Sequence, residues 1–163
     1  MTQIITPASL KDQSLIDVNV QDMYCEAAIK SAQEIFLVQI IGESLYNKII
    51  SLIVGNSLTG KYKELVDYYI INYLLYEATA EIQIPLAYKN RNMGIVRTTD
   101  PEVEIVELKE IQYIVDYYKN RADFYAIKIK NFIYNNLSSF PEYCTESSNE
   151  IKPGKSWECP INL

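Results

Sequence analysis

The sequence predicts an all-α fold: a bundle of about four to five helices around one long central helix, followed by an extended C-terminal tail. Two observations carry this. The stretch from Lys61 to Leu86 is apolar or aromatic around most of its circumference at helical spacing, so it needs neighbours on several sides. A second long stretch, ending near Leu137, repeats its apolar residues at alternating steps of three and four, the seam of a helix lying along a partner. The punctuation agrees: five glycines and six prolines fall mostly between the periodic stretches, where they can break helices.

In chain order, Thr6-Pro7 reads as a cap and first position of a short helical turn, although an extended lead-in through Leu15–Val18 fits equally well. Asn19 is placed to cap a helix over Val20–Ile41, with Asp22 complementing its dipole and Cys25, Ile29, Ala32, Phe36 and Ile40 on its buried face. Gly42 stops or bends it. A helix over Glu43–Val54 follows, with Leu45, Tyr46, Ile49, Ile50 and Ile53 inward, and then the turn Gly55–Gly60. The central helix presents Tyr62, Leu65, Tyr69, Tyr73, Tyr76 and Ala80 on one face and Ile71, Leu75, Ala78 and Ile82 on another. It should end near Pro85, or kink there and run on to Tyr88.

The connection KNRNMGIVRTTD reads as a loop and holds Lys89, Arg91 and Arg97 with no acid before Asp100, the most basic patch in an acidic chain. Asp100-Pro101-Glu102 is a strong helix start, and the helix it opens buries Leu108, Ile111, Val115, Tyr118, Ala122, Tyr125, Ile129 and Phe132. Two parts result: a helical body over 1–137 and an extended tail over 138–163. The tail has no periodicity but carries Phe140, Tyr143, Trp157, Ile161 and Leu163, apolar anchors on a polar string of the kind a docking arm uses.

Composition narrows the function. The formal charge is −6 and there is no histidine, which weighs against broad nucleic-acid binding and removes the commonest general base and nitrogen metal ligand. No Ser-His-Asp or Cys-His set can form, and no glycine-rich phosphate loop occurs. Three cysteines without metal-site spacing suggest free thiols in a reducing cytoplasm, and neither a signal peptide nor a membrane span is expected. Glu77 and Glu81 share a helix face like ligands of a carboxylate-bound metal pair. The Glu-x-x-His partners of such sites are absent, so structural pairing is the preferred reading. The acids Glu102, Glu104, Glu107 and Glu110 read as a solvated face near a helix start, and the fourteen tyrosines as packing residues with hydroxyls at the surface or a subunit contact. No catalytic residue, cofactor or metal is assigned.

Several local patterns resemble the head-to-tail connector (adaptor, or ring) proteins of tailed bacteriophages, particularly those of crAss-like phages and Bacteroidales prophages. They are Asp17–Asn19 before a helix with Tyr24, Ile29, Ala32-Gln33 and Leu37, then Ile41-Gly42 and Leu45-Tyr46, Ala80–Leu86, Lys89–Gly94, and Gln112-Tyr113 through Arg121-Ala122 with Phe124-Tyr125. The likeness covers roughly residues 4 to 137 and carries packing and turn patterns rather than a catalytic motif. It implies a non-enzymatic virion protein at the neck, assembled in the host bacterial cytoplasm, usually as a dodecameric ring beneath the portal that lets genomic DNA pass without specific binding. Portal protein and other neck or tail proteins are the implied partners. Lys89, Arg91 and Arg97, with Phe140, Tyr143, Trp157, Ile161 and Leu163, are the expected contact residues for the portal or a neighbouring subunit. A tail-completion or stopper protein is the alternative within the virion. An intracellular ligand-binding or regulatory bundle using Glu77 and Glu81 is the alternative from another class.

Overall fold

The computed structural model describes the backbone of residues 2–14, 16–91, 94–97 and 108–145, and the side chains of 2–14, 16–87 and 109–143. The described body is all-α apart from one small hairpin.

Helix α1 (Pro7–Gln13) starts as its sequence predicts. Ser9 N–H donates to Thr6 Oγ1 while Thr6 N–H donates to Ser9 Oγ, a reciprocal cap, and Pro7 takes the first position, where its missing donor costs nothing. The helix is short but anchored, because Leu10 is fully buried. Asn19 does not cap the next helix. Its N–H donates to Asp17 Oδ1 in a local turn, and α2 (Asp22–Ser31) begins two residues later than expected, with Gln21 at the cap. The side chain of Asp17 competes for that backbone, as short acidic side chains do before helices.

Helix α2 runs through a π-helical turn (Ala32–Leu37) into α3 (Val38–Ile41), and Gly42, at φ +81°, breaks the rod before α4 (Glu43–Val54). A side chain at that φ would be strained, so the glycine itself directs the turn. Of the predicted inward set, Cys25, Ile29, Ala32, Leu45, Tyr46 and Ile49 are buried, and Phe36, Ile40, Ile50 and Ile53 are half-buried against the same core.

The central helix comprises α5 (Gly60–Leu65), a second π-helical turn (Val66–Ile70) and α6 (Ile71–Ala87). It passes Pro85 and ends two residues later, the second of the two endings the sequence allows. Tyr73, Leu74, Leu75, Glu77, Ala78, Thr79, Ala80 and Ile82 are all buried, so this helix is covered around its circumference. Its most extensive neighbour is α7 (Leu108–Asn135), followed by α2. On α7, Ile111, Val115, Ala122 and Ile129 of the predicted seam are buried, with Ile133 in addition. Tyr118, Tyr125 and Phe132 are half-buried, and the side chain of Leu108 lies outside the described residues. The predicted helix start at Asp100-Pro101-Glu102, and the acids Glu102, Glu104 and Glu107, lie outside the described residues.

The supposed loop after the central helix is instead a β-hairpin. Strand β1 (Tyr88–Arg91) pairs antiparallel with β2 (Gly94–Arg97), from Tyr88 opposite Arg97 to Arg91 opposite Gly94. Beyond the pairing of its two strands, α6, which leads directly into β1, is the element with which it shares most contacts.

The boundary at residue 137 also moves. After a 3-10 turn (Leu137–Ser139), α8 (Pro141–Thr145) packs against α4, and Phe140 is among the largest fully buried side chains. Its ring meets Tyr62 edge-on at 5.0 Å and lies 6.1 Å from Phe132. The helical body therefore reaches at least Thr145. A phenylalanine just past a helix end is a poor docking anchor when the nearest apolar surface is its own core.

Candidate functional site

The interior holds two polar constellations. At the first, Gln33 is completely buried. Its Oε1 accepts from Ile4 N–H at 2.9 Å, and its Nε2 donates to Thr2 O at 3.0 Å and to the Tyr46 hydroxyl at 2.8 Å. These bonds tie the segment before α1 to the first π-helical turn and to α4, and compensate the amide for lost water. A glutamine amid alternating apolar residues reads as surface, so the sequence offers no signal for it beyond its place in a helical pattern.

The second is the pair Glu77 and Glu81, one turn apart on α6. Lys119 of α7 lies between them, its Nζ 3.2 Å from Glu81 Oε1 and 3.7 Å from Glu77 Oε1. The ammonium also sits 4.9 Å over the Phe36 ring, and Ser31 Oγ donates weakly to Glu81 at 3.4 Å. One lysine is thus shared by two acids, and the more buried acid is the less well served. Burial pushes the Glu77 carboxyl up, and the nearby Lys119 only partly offsets it. On Lys119 burial acts downward, but the hydrogen bond to Glu81 and the field of both carboxylates outweigh it and the net direction is up. Burial, then the charge of Glu77, also raises the neighbouring Tyr73 hydroxyl. A lysine ammonium occupies the place between the two carboxylates that a bound cation would need, and among the described residues no group of three or more acids and cysteines converges. The pair works as an interhelical clasp.

Of the predicted contact residues, Lys89 and Arg91 fall on β1 and Arg97 on β2, so the hairpin gathers all three cationic positions onto one ribbon at the end of the central helix. Phe140 is withdrawn into the core. Tyr143 is half-buried and packs against the same core from α8. That helix is held by Glu142, which accepts from the Tyr62 hydroxyl at 2.7 Å and lies 3.9 Å from Lys48. Burial and the Glu142 carboxylate push the Tyr62 hydroxyl up to about 12. Trp157, Ile161 and Leu163 lie outside the described residues.

Two surface features were not legible as sites. A cleft of about 430 Å³ opens between α1, α6 and α7, lined by Asp12, Asn72, Tyr76, Tyr117 and Arg121 among others. The Arg121 guanidinium stacks on the Tyr117 ring at 3.4 Å and donates to Tyr117 O at 3.2 Å. The other feature is the outer face of α7, where Tyr113, Tyr117, Phe124, Ile127 and Tyr134 stand 44–75% exposed. Among the described residues no helix is long and apolar enough to cross a membrane.

Residues 37–153, most of the chain, match the model of DUF6712, a family of unknown function. No curated protein and no solved structure matches the chain. The matched span begins inside the first π-helical turn and takes in α4, the central helix, the hairpin, α7 and α8, and the chain is a member of the DUF6712 family.

Proposed function

We propose that this chain is a structural subunit of a tailed-phage neck: a head–tail connector that joins portal to tail as a ring, of twelve copies by analogy, around the path of exiting DNA. The observation that carries the reading is the hairpin. A two-stranded ribbon bearing Lys89, Arg91 and Arg97 extends from the end of the longest-buried helix in an otherwise acidic chain. A rigid helix with a cationic ribbon at its tip suits contact with an acidic neighbouring subunit or portal surface. The resemblance over residues 4 to 137 supports the same role, and the interior clasp supports a body whose polar groups are spent on holding helices together. An acidic wall would let DNA slide past by like-charge repulsion.

The test is reconstitution of particles with two variants. Truncation after Thr145 keeps Phe140 and α8 and so spares the body, whereas a cut at Ser138 would remove core. The second variant reverses the charges (K89E, R91E and R97E). Both should fold with unchanged helical content, and the charge-reversed chain should be depleted from assembled necks. Normal incorporation of both, or intact infectious particles that contain no copy of the chain, would reject the connector reading. The Arg121–Tyr117 cleft favours one second reading, a bundle that binds a small anion, and a thermal-shift screen against carboxylates and phosphates separates the two.

A further inference from the structure

The exposed side chains on the outside of α7 are not scattered. Tyr113, Tyr117, Asn120, Phe124, Ile127, Asn131 and Tyr134 follow one another at steps of four, three, four, three, four and three, and every one is exposed. This is a complete heptad stripe, about 31 Å long at 1.5 Å per residue. It lies on the opposite side of the helix from Ile111, Val115, Ala122, Ile129 and Ile133, which are buried in the body. Exposed large apolar residues are ordinary singly, but four aromatic residues and an isoleucine sharing one heptad stripe with two asparagines make a face suited to another helix.

The flanks identify that partner. On one side of the stripe stand Asp116, Asp123 and Lys130, and on the other Arg121, Lys128 and the neutral Asn135. In a parallel two-stranded coil, the residue just before one core position faces the residue five further on in the partner helix. A second copy aligned in parallel and in register therefore sets Asp116 against the partner's Arg121, and Asp123 against the partner's Lys128. Two-fold symmetry repeats both pairs, and none of them is repulsive. The antiparallel alternative brings Arg121 beside the partner's Lys128. The cations are already held at the seam's edge, Arg121 over the Tyr117 ring and Lys128 4.6 Å over the Phe124 ring, so little side-chain freedom is lost when the acids arrive. Parallel register also sets Asn120 against Asn120 and Asn131 against Asn131, where each amide finds its own complement. Polar residues at such core positions specify register and strand number.

We infer that the outer face of α7 is a self-association surface, and that two copies of this chain pair through it as a parallel, in-register coil. The contact is isologous and closes at two copies, whereas a ring uses two different faces of each subunit. The pair is accordingly a state of the free chain, and it stands or falls separately from the connector reading: one is read in solution, the other in particles.

The experiment uses the full-length chain. Sedimentation equilibrium at about 100 µM should give twice the mass of the 18.8 kDa chain. With Cys144 and Cys159 changed to serine, Asn120→Cys should link two chains under mild oxidation, while Gln112→Cys, off the stripe, should not. Ile127→Asp should raise the dissociation constant at least about tenfold with the helical circular dichroism unchanged, since Ile127 is 60% exposed among the described residues. Asp116→Lys with Asp123→Lys should weaken pairing, as should Arg121→Asp with Lys128→Asp, and mixing those two chains should restore it as a heterodimer. A monomer under these conditions overturns the inference, whether a photo-crosslinker at position 127 then captures the chain's own tail, another protein or nothing. So does a dimer that links through Gln112→Cys as readily as through Asn120→Cys, or one indifferent to charge reversal.

Discussion

Along residues 71–82 of the central helix, side chains from opposite sides are buried, including the consecutive run Glu77, Ala78, Thr79 and Ala80. Helix α7 has the same length scale and the same three-four spacing, yet among the described residues only one side of it is covered. Ile129 is fully buried while Ile127, two residues earlier, is 60% exposed. Burial by neighbours on several sides forces a helix to be apolar all round and leaves it no surface to offer. A helix packed on one side keeps a second face, and on α7 that face carries tyrosine, phenylalanine, isoleucine and two asparagines rather than charge. Heptad spacing shows that a face fits another helix; which helix is decided by what lies within reach.

The sharpest break in the contrast comes from the residue that joins the two helices. Phe140 packs against Tyr62 of α5 and Phe132 of α7, so its ring fills the angle where they meet. Phe140→Ala should cost about 3–5 kcal/mol in urea unfolding. A loss below about 1 kcal/mol would return Phe140 to the tail and restore the boundary at residue 137.

A second comparison stays within α7. Ile129→Ala should cost about 2–5 kcal/mol, because it opens a cavity against the central helix, and Ile127→Ala should stay within about 0.5 kcal/mol. The measurement belongs at low protein concentration, where the single chain is the folded species. Equal losses at the two positions would mean that the outer face of α7 is covered in the free monomer.

The bundle was legible because burial leaves a periodic trace. Most inward residues of α2, α4, the central helix and α7 could be read from spacing, down to Cys25 and Ala122, though Ala28, Thr79 and Ile133 were not. Local chemistry was less legible where two arrangements compete for the same backbone. Asp17 took Asn19 into a turn and moved a helix start by two residues. The pairing of 88–97 depended on a register that no alternation of apolar residues announces. The π-helical turns escaped because each inserts its extra residue without disturbing composition. Lys119 was invisible as the partner of Glu77 and Glu81, since an ion pair between helices depends on their relative rotation. The outer stripe of α7 was hidden by its two asparagines, which make the face look polar unless the steps are counted.

The smallest of these effects has the most distinctive signature, because it depends on pH. Glu77 is held above the ordinary glutamate range by burial, against the pull of Lys119. In the interval between its ordinary and raised values the folded chain binds more protons than the unfolded chain. Stability therefore falls as pH rises through that interval. Lys119→Met removes the cation that limits the rise, so the decline should steepen and reach higher pH. The neutral-pH cost should be about 1–2 kcal/mol, less than for a fully buried pair because the Lys119 side chain is 39% exposed. In acid, where both carboxylates are protonated in either chain, the variant should approach the parent. Adding Glu77→Gln to Lys119→Met should abolish most of the remaining slope. If Lys119→Met lost the same stability at every pH, its role would be packing against Phe36, and the two acids would be bystanders on a helix held by its apolar faces alone.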